Sequence, residues 1–491
     1  MRRPGQADIV VVGGGPVGVM LGNLLGLLGI STLLLEREGQ IYNLPRAIQF
    51  DDEIMRLFQT VGLADALLPL LYVSPGMRFV DDHGRLLLDW SRPAEVGPQA
   101  WHVSYRFHQP ELEQVLRTGL ARWPCVTMAG RCEVYAIDQQ DGEVVVRYED
   151  LATGALAACR AQYVIGCDGA RSLVRRLIGA GMEDLGFHER WLVVDMILRR
   201  PRPDLGDYAV QHCSTRRPAT YVRGTGQRRR WEIAVFPEED DVTITQPKKV
   251  YELLRPWVTE EDADLERAAL YTFHSAIATQ WRRDRLLIAG DAAHLTPPFL
   301  GQGMCAGMRD VGNLAWKLAR VLRTEDGAAL LDTYQSERAP HVREYIELAV
   351  RLGGLINTRA IAAALPDATP DGPPVRMNSI KPLLGPGLAA GWTQPRGRVA
   401  PQPILSDGTR MDDRAGYGFA AIMRPGFLRE LPDRIRAALQ ARGVMPIADE
   451  APGLAAWLDE VGASTIVVRP DRYVLGAARN LDELQDLAAA V

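Results

Sequence analysis

Cysteine is sparse in this sequence: Cys125, Cys132, Cys159, Cys167, Cys213 and Cys305 are widely spaced, and none forms a C-x-x-C pair. That spacing excludes a dithiol redox centre. With no secretory leader visible, it predicts free thiols in a reducing cytoplasm. The eight histidines are scattered without zinc-type spacing, so no metal site is expected. No apolar run is long enough to span a bilayer; the leucine-rich stretch 21–30 is only about ten residues and broken by glycine. Neither sign of charge dominates, with 56 Lys and Arg against 61 Asp and Glu. Nothing in that balance points to a nucleic-acid partner, and Arg228-Arg229-Arg230 and Arg282-Arg283 read as short solvated or turn segments. Internal repeats and low-complexity tracts are also absent.

What is present is a chain of 491 residues, 47% hydrophobic, more than one core usually organises. Two packed domains and a smaller appended one are therefore expected. Near the start, a β-branched strand at 8–12 runs into Gly13-Gly14-Gly15-Pro16-Val17-Gly18, an apolar helix follows, and a second strand closes at Glu36. In such a βαβ unit, Gly13, Gly15, Pro16 and Gly18 let the backbone and the helix N-terminus approach a pyrophosphate. The carboxylate 18 residues past the last glycine can bond ribose hydroxyls. Dinucleotide binding follows; which dinucleotide does not.

Two further buried strands, 163–166 and 286–290, end at Asp-containing turns, Cys167-Asp168-Gly169 and Gly290-Asp291-Ala292-Ala293-His294. The latter precedes Pro297-Pro298 and Gly301-Gln302-Gly303-Met304. Residues 185–275 instead alternate apolar and polar side chains, as antiparallel strands do.

The three motifs in this order resemble those of the FAD-dependent class A aromatic hydroxylases, the family of para-hydroxybenzoate hydroxylase and phenol hydroxylase. The resemblance covers nearly the whole chain. It implies an α/β fold: a Rossmann-like FAD-binding domain with a parallel sheet (1–184 and 276–361), an inserted antiparallel-sheet substrate domain (185–275), a linker (362–403) and a C-terminal thioredoxin-like domain (404–491). The hairpin Arg469-Pro470-Asp471-Arg472-Tyr473-Val474-Leu475-Gly476 resembles the end of that last domain. Because Cys305 is the last cysteine, packing or dimerisation is the role left to it.

The resemblance also implies residue roles. Glu36 is expected to hold the adenosine ribose, with Arg37 beside it in the same loop, and Asp291, after Gly290, to hold the ribityl chain. Pro298 and the amides of Gly301, Gln302, Gly303 and Met304 are expected at the flavin. Arg46, Gln109 and Arg117 match positions near FAD, and Asp168 and Gly169 positions that serve both FAD and the nicotinamide cofactor. Each has a plainer alternative: Asp168 or Asp291 as a helix cap, Arg46 or Arg117 as a surface ion pair.

Since no second glycine fingerprint follows a strand, NADH or NADPH is expected to bind only transiently. The implied reaction is reduction of FAD by NAD(P)H, reaction with O2 to a flavin C4a-hydroperoxide, and hydroxylation ortho to a phenol. Stretches such as 46–53, 107–117, 191–195 and 301–307 look most like the 3-(3-hydroxyphenyl)propionate hydroxylase branch. Hydroxylation of a larger polycyclic or polyketide phenol is the alternative, and a non-catalytic FAD module a more distant one. For the group that activates the phenol, the candidates are His212, Tyr221 and Arg223, with Tyr208 and Trp231 as walls; a structural role stands equally open for each. Arg223 could instead pair with a substrate carboxylate. His294 and Cys305 read as structural. A cytoplasmic homodimer acting on a small phenol, without membrane or nucleic acid, completes the expectation.

Overall fold

The computed structural model describes residues 5–42, 46–214, 216–324, 327–357, 373–388 and 395–491. Its first layer is a six-stranded sheet in the order Arg282–Arg283, Leu286–Ile288, Tyr163–Gly166, Ile9–Val12, Thr32–Glu36, Val126–Gly130. All neighbours are parallel except the first pair. Ile9–Val12, Tyr163–Gly166 and Leu286–Ile288 are buried along their whole length. This is why they appear in sequence as unbroken apolar runs rather than alternations. The helix Pro16–Leu27 opens with proline at its first turn, where no N–H bond is lost, and packs against the helix Gly303–Val321.

The second layer is a nine-stranded sheet. It runs His294–Leu295, Ala263–Ala278, Met182–Leu198, Arg228–Ala234, Ala219–Arg223, Ala209–His212, Gly76–Val80, Leu86–Ser91, Val375–Arg376. It reaches beyond the 185–275 expected from alternation. Ala209–His212 pairs in parallel with Gly76–Val80, so a hairpin from the N-terminal part joins the sheet. Such a pairing between distant segments leaves no periodic trace in sequence.

This sheet has two unlike faces. On the outer face Leu192, Val194, Tyr221 and Trp231 pack against Val250 and Leu254 of the helix Pro247–Leu254. On the inner face Val193, Arg230 and Glu232 look onto the parallel layer. Strand periodicity assigns the faces: Tyr221 pairs with Trp231 and Thr220 with Glu232.

A small three-stranded sheet of Gln49–Asp51, Ser104–Arg106 and Tyr72–Val73 lies beside the junction of the two layers. Another, Cys132–Gln140, Glu143–Asp150 and Ala155–Ala161, flanks the first layer. The C-terminal unit has the strand order Val444–Ala448, Phe419–Met423, Thr465–Val468, Val474–Ala478; the first pair is parallel and the others antiparallel. Charged groups dock it on the rest: Arg56 on Asp412 at 2.7 Å, and Arg469 on Glu337 at 2.7 Å. Of the expected linker, 373–388 and 395–403 are described, and the remainder lies outside the described residues. Among the described residues no helix is long and apolar enough to cross a membrane.

Candidate functional site

Between the carboxyl ends of the parallel strands and the inner face of the antiparallel sheet lies a cleft of about 440 Å³. Open α/β sheets place ligands at this position, because loops leave the strand ends in opposite directions and part there. One side is Gly15-Pro16-Val17, Gly169 and Asp291; the far end is Pro298, Gly301, Gln302, Gly303 and Met304.

The glycine loop is shaped for close approach. Gly13 has φ +104°, and a Cβ there would collide with the carbonyl of Cys167; one on Gly18 would collide with the carbonyl of Gly13. Gly15 and Gly303 instead face open space. Each lies beside a helix N-terminus, where free amides and the helix dipole favour negative charge. The Glu36 carboxylate accepts the Gly14 amide at 2.5 Å and the Glu38 amide at 2.7 Å. Arg117 donates to the Gly14 carbonyl at 3.1 Å. Arg37 departs from the expectation: its side chain is 63% exposed and turns outward to Glu38 at 3.2 Å, so it lies on the surface rather than in the cleft.

Asp291 stands in the 3-10 turn Gly290–Ala292, open to the cleft yet ringed by protein. Burial raises its carboxyl pKa, against the pull of His294 and Arg46. The turn is held from beneath by Asp310, a residue sequence reading missed. Asp310 accepts from the Gly290 amide at 3.1 Å, meets His294 Nε2 at 2.6 Å and accepts from Arg338 Nε at 3.0 Å. Burial alone would raise Asp310, but these partners hold it below the usual carboxylate range. His294 therefore serves the turn rather than the cleft.

Gln109 takes the amides of both Arg46 and Ala47 on its Oε1, each at 2.8 Å, which fixes the loop at the cleft mouth. Asp168 turns into the following helix, accepting from Leu173 N–H at 2.7 Å and Val174 N–H at 3.2 Å, while Gly169, φ +75°, lines the cleft. At the far end Gln302 and Arg309 share Asp51, at 3.2 and 2.6 Å. Cys305 is buried behind them, its thiol pushed up by burial.

The three expected phenol-activating residues are displaced from the cavities. Tyr221 belongs to the outer core, meets the Trp231 ring at a tilt with centroids 5.4 Å apart, and donates to the Gly206 carbonyl at 3.1 Å. His212 shares that face, beside Trp257 at 5.3 Å. Arg223 pairs with Asp207 and bonds Tyr72 Oη at 2.8 Å. Tyr208 lies beneath the Arg78 guanidinium, and Trp231 faces the outer core. The cause is parity: position 221 and its pairing partners point one way, 220 and 232 the other.

The inner positions line a second, smaller chamber of about 50 Å³ that abuts the Pro298–Gly301 end of the cleft. Met77, Trp90, Phe299 and Leu300 give it apolar walls; its charged groups are Arg92, Arg106 and Glu232. Burial pushes the guanidinium pKa values of Arg92 and Arg106 down to about 10. Burial raises Glu232, while the positive field of Arg230 opposes the rise. The signal in sequence was present but unread: Glu232 lies between Trp231 and Ile233 on a strand whose two faces are both covered.

A cleft of this kind, with glycine cradles at two helix N-termini and a carboxylate at each of two strand ends, defines a dinucleotide-binding α/β protein. FAD fits it: Gly15 and Gly303 leave the room, and Asp291 presents a carboxylate that no other group hydrogen-bonds among the described residues. The family model "FAD binding domain" matches residues 6–349, and "HcaD C-terminal domain" matches 427–491. The chain belongs to the family of FAD-dependent monooxygenases that act on aromatic and phenolic substrates.

It is 39% identical to the Rhodococcus jostii (strain RHA1) protein named "Probable NADH-specific resorcinol 4-hydroxylase", over 98% of this chain and 94% of that protein. It is 35% identical to the 3-(3-hydroxy-phenyl)propionate/3-hydroxycinnamic acid hydroxylase of Burkholderia cenocepacia (strain HI2424), over 96% and 93%. Its fold matches that of the flavin-dependent monooxygenase PieE in complex with FAD and substrate, with a TM-score of 0.81 and 22% identity over 100% and 99% of the two chains. Aklavinone-11 hydroxylase with FAD and aklavinone matches at a TM-score of 0.80 and 22% identity, over 99% of each.

Proposed function

We propose that this protein hydroxylates a single-ring phenol, with NADH or NADPH as electron donor and O2 as oxygen source. The observation that carries this reading is the chamber of about 50 Å³ at the flavin end of the cleft. An apolar cavity of about 150 Å³ holds a benzene, so this chamber admits the hydroxyl-bearing edge of one ring. The ring itself then lies at the chamber mouth, by Pro298. Single-ring phenols are also what the names of the two relatives specify.

FAD, when bound, supplies the redox and oxygen-transfer chemistry. The residues of this chain bind and orient it. Glu36 holds the adenosine ribose, Gly15 and the helix after Pro16 take the pyrophosphate, Asp291 meets the ribityl hydroxyls, and the amides at 301–304 face the flavin. Arg46, Gln109 and Arg117 shape the cleft mouth. Trp90, Phe299 and Leu300 exclude water from the reacting edge. The strand order of the C-terminal unit supports a thioredoxin-like reading, with no cysteine after Cys305 for dithiol chemistry.

The test is oxidation of NADH and of NADPH by the purified flavoprotein with 3-(3-hydroxyphenyl)propionate and with resorcinol, and the mass of the product. Stimulated oxidation with a product heavier by one oxygen is expected for one of the two. No stimulation and no oxygenated product with either would remove the single-ring reading.

A further inference from the structure

Four residues line both the cofactor cleft and the chamber: Ile48, Glu232, Pro298 and Gly301. Of these, Glu232 alone is ionisable. It lies on the inner face of the strand Arg228–Ala234, its side chain 13% exposed to the cavities, with Arg230 Nη1 4.0 Å from its Oε1. The opposite face of that strand is closed by Trp231 and Ile233. Among the described residues, the charged groups that act most strongly on it lie on four strands. Arg230 shares its strand, Asp195 comes from Met182–Leu198, Arg267 from Ala263–Ala278, and Arg106 from Ser104–Arg106. Arg230 and Arg267 are both committed to Asp195, at 2.7 and 3.4 Å. The carboxylate of Glu232, with Arg230 as its ion-pair partner at 4.0 Å, lines the chamber together with Arg106 and Arg92.

We infer that Glu232 accepts the hydrogen bond of the substrate's phenolic hydroxyl and takes its proton as the ring is oxygenated, with Arg106 and Arg92 stabilising the negative charge that develops on the phenol oxygen. This rests on the proposed function above and adds the residue that executes its proton step. The phenolic O–H bond breaks, its electron pair stays with the substrate, and the proton passes to the carboxylate. When the ring regains aromaticity its C–H proton is released to water, and the proton on Glu232 returns to the same oxygen, so the carboxylate is restored. An acid limb in the pH profile follows: a protonated Glu232 cannot take the proton and accepts the hydrogen bond only as a neutral carbonyl, without the charge that strengthens it, and burial sets that limb above the ordinary carboxylate range.

The experiment compares wild type, Glu232→Gln and Glu232→Leu, each checked for bound flavin by absorbance. Resorcinol and 1,3-difluorobenzene, similar in shape but without an O–H donor, are titrated against the oxidised flavoprotein by the change in flavin absorbance from acid to neutral pH. Wild type is expected to prefer resorcinol by roughly 10-fold to 100-fold, the range for a hydrogen bond to a charged group, and to lose the preference as the pH falls. In both variants the preference shrinks and its pH dependence vanishes, and the acid limb of phenol-dependent turnover disappears with it. If Glu232→Leu loses its flavin, Glu232→Gln alone carries the comparison. Phenol-dependent turnover in wild type, with the preference and acid limb unchanged in Glu232→Gln, overturns the role of Glu232 and leaves the proposed function in place. Wild type that turns over neither resorcinol nor 3-(3-hydroxyphenyl)propionate overturns both.

Discussion

Arg230 Nη1 donates to the carbonyl of Arg46 at 2.7 Å, joining the antiparallel sheet to the loop at the cleft mouth across 184 residues of chain. The same guanidinium holds Asp195 through Nε at 2.7 Å and Nη2 at 3.2 Å. Arg230 is 1% exposed, so this is a desolvated contact, and removing one partner leaves the other's charge buried. Replacing Arg230 by Met is expected to cost about 3–5 kcal/mol of stability and to loosen FAD. Urea denaturation with a flavin titration reads both, and a loss within experimental error would show that the link is dispensable.

Asp291→Ala is expected to give a folded protein that releases its flavin. A carboxylate hydrogen bond contributes about 1.5–3 kcal/mol, so the dissociation constant for FAD should rise at least about tenfold. Gel filtration followed by the absorbance ratio of flavin to protein measures it. Stoichiometric flavin in the variant would place the ribityl contact elsewhere.

Glu36→Ala removes both the proposed ribose acceptor and the partner of the Gly14 amide. A weakening of FAD affinity by roughly ten- to a hundredfold is expected from the lost charge-assisted bonds. Fluorescence titration of the apoprotein decides the matter; unchanged affinity would move the adenosine site.

Tyr221→Phe tests the face assignment. The hydroxyl bonds the Gly206 carbonyl in the outer core, so its loss should cost about 0.5–1.5 kcal/mol of stability and leave phenol-dependent turnover unaltered. A fall in turnover of about tenfold or more, equivalent to about 1.4 kcal/mol of barrier, would return Tyr221 to the reacting site.

Asp52 gives a pH dependence. Burial pushes its carboxyl from 3.8 up to about 6, although Lys381 lies 3.8 Å away. A folded pKa above the unfolded one means that the folded state prefers the protonated acid. The stability Asp52 contributes is therefore full below its unfolded value and lost as pH rises through about 6. Asp52→Asn should gain on wild type by up to about 3 kcal/mol between acid and neutral pH. Thermal denaturation of both proteins across that range checks the sign: a variant that loses ground to wild type as pH rises would refute it.

The glycine loop and the strand-end carboxylates of the cleft were legible in the sequence. Gly13, Gly15, Gly18, Glu36 and Asp291 occupy strand ends and helix starts whose geometry is local, so a few adjacent residues suffice to specify each turn. The same locality made Ile9–Val12, Tyr163–Gly166 and Leu286–Ile288 readable as buried parallel strands. Tertiary structure alone decided the chamber. Its wall unites Met77 and Trp90 from one hairpin, Arg106 from a three-stranded sheet, Glu232 from the inner face of another sheet and Phe299 from the loop after Pro298. On strands with both faces covered, alternation no longer marks which side meets the ligand, so Tyr221 and Glu232 read alike in sequence and only the packing of the sheet separates them. Asp310 was silent for the same reason: mid-helix, it acquires its task only where the turn at Gly290, His294 and Arg338 converge on it.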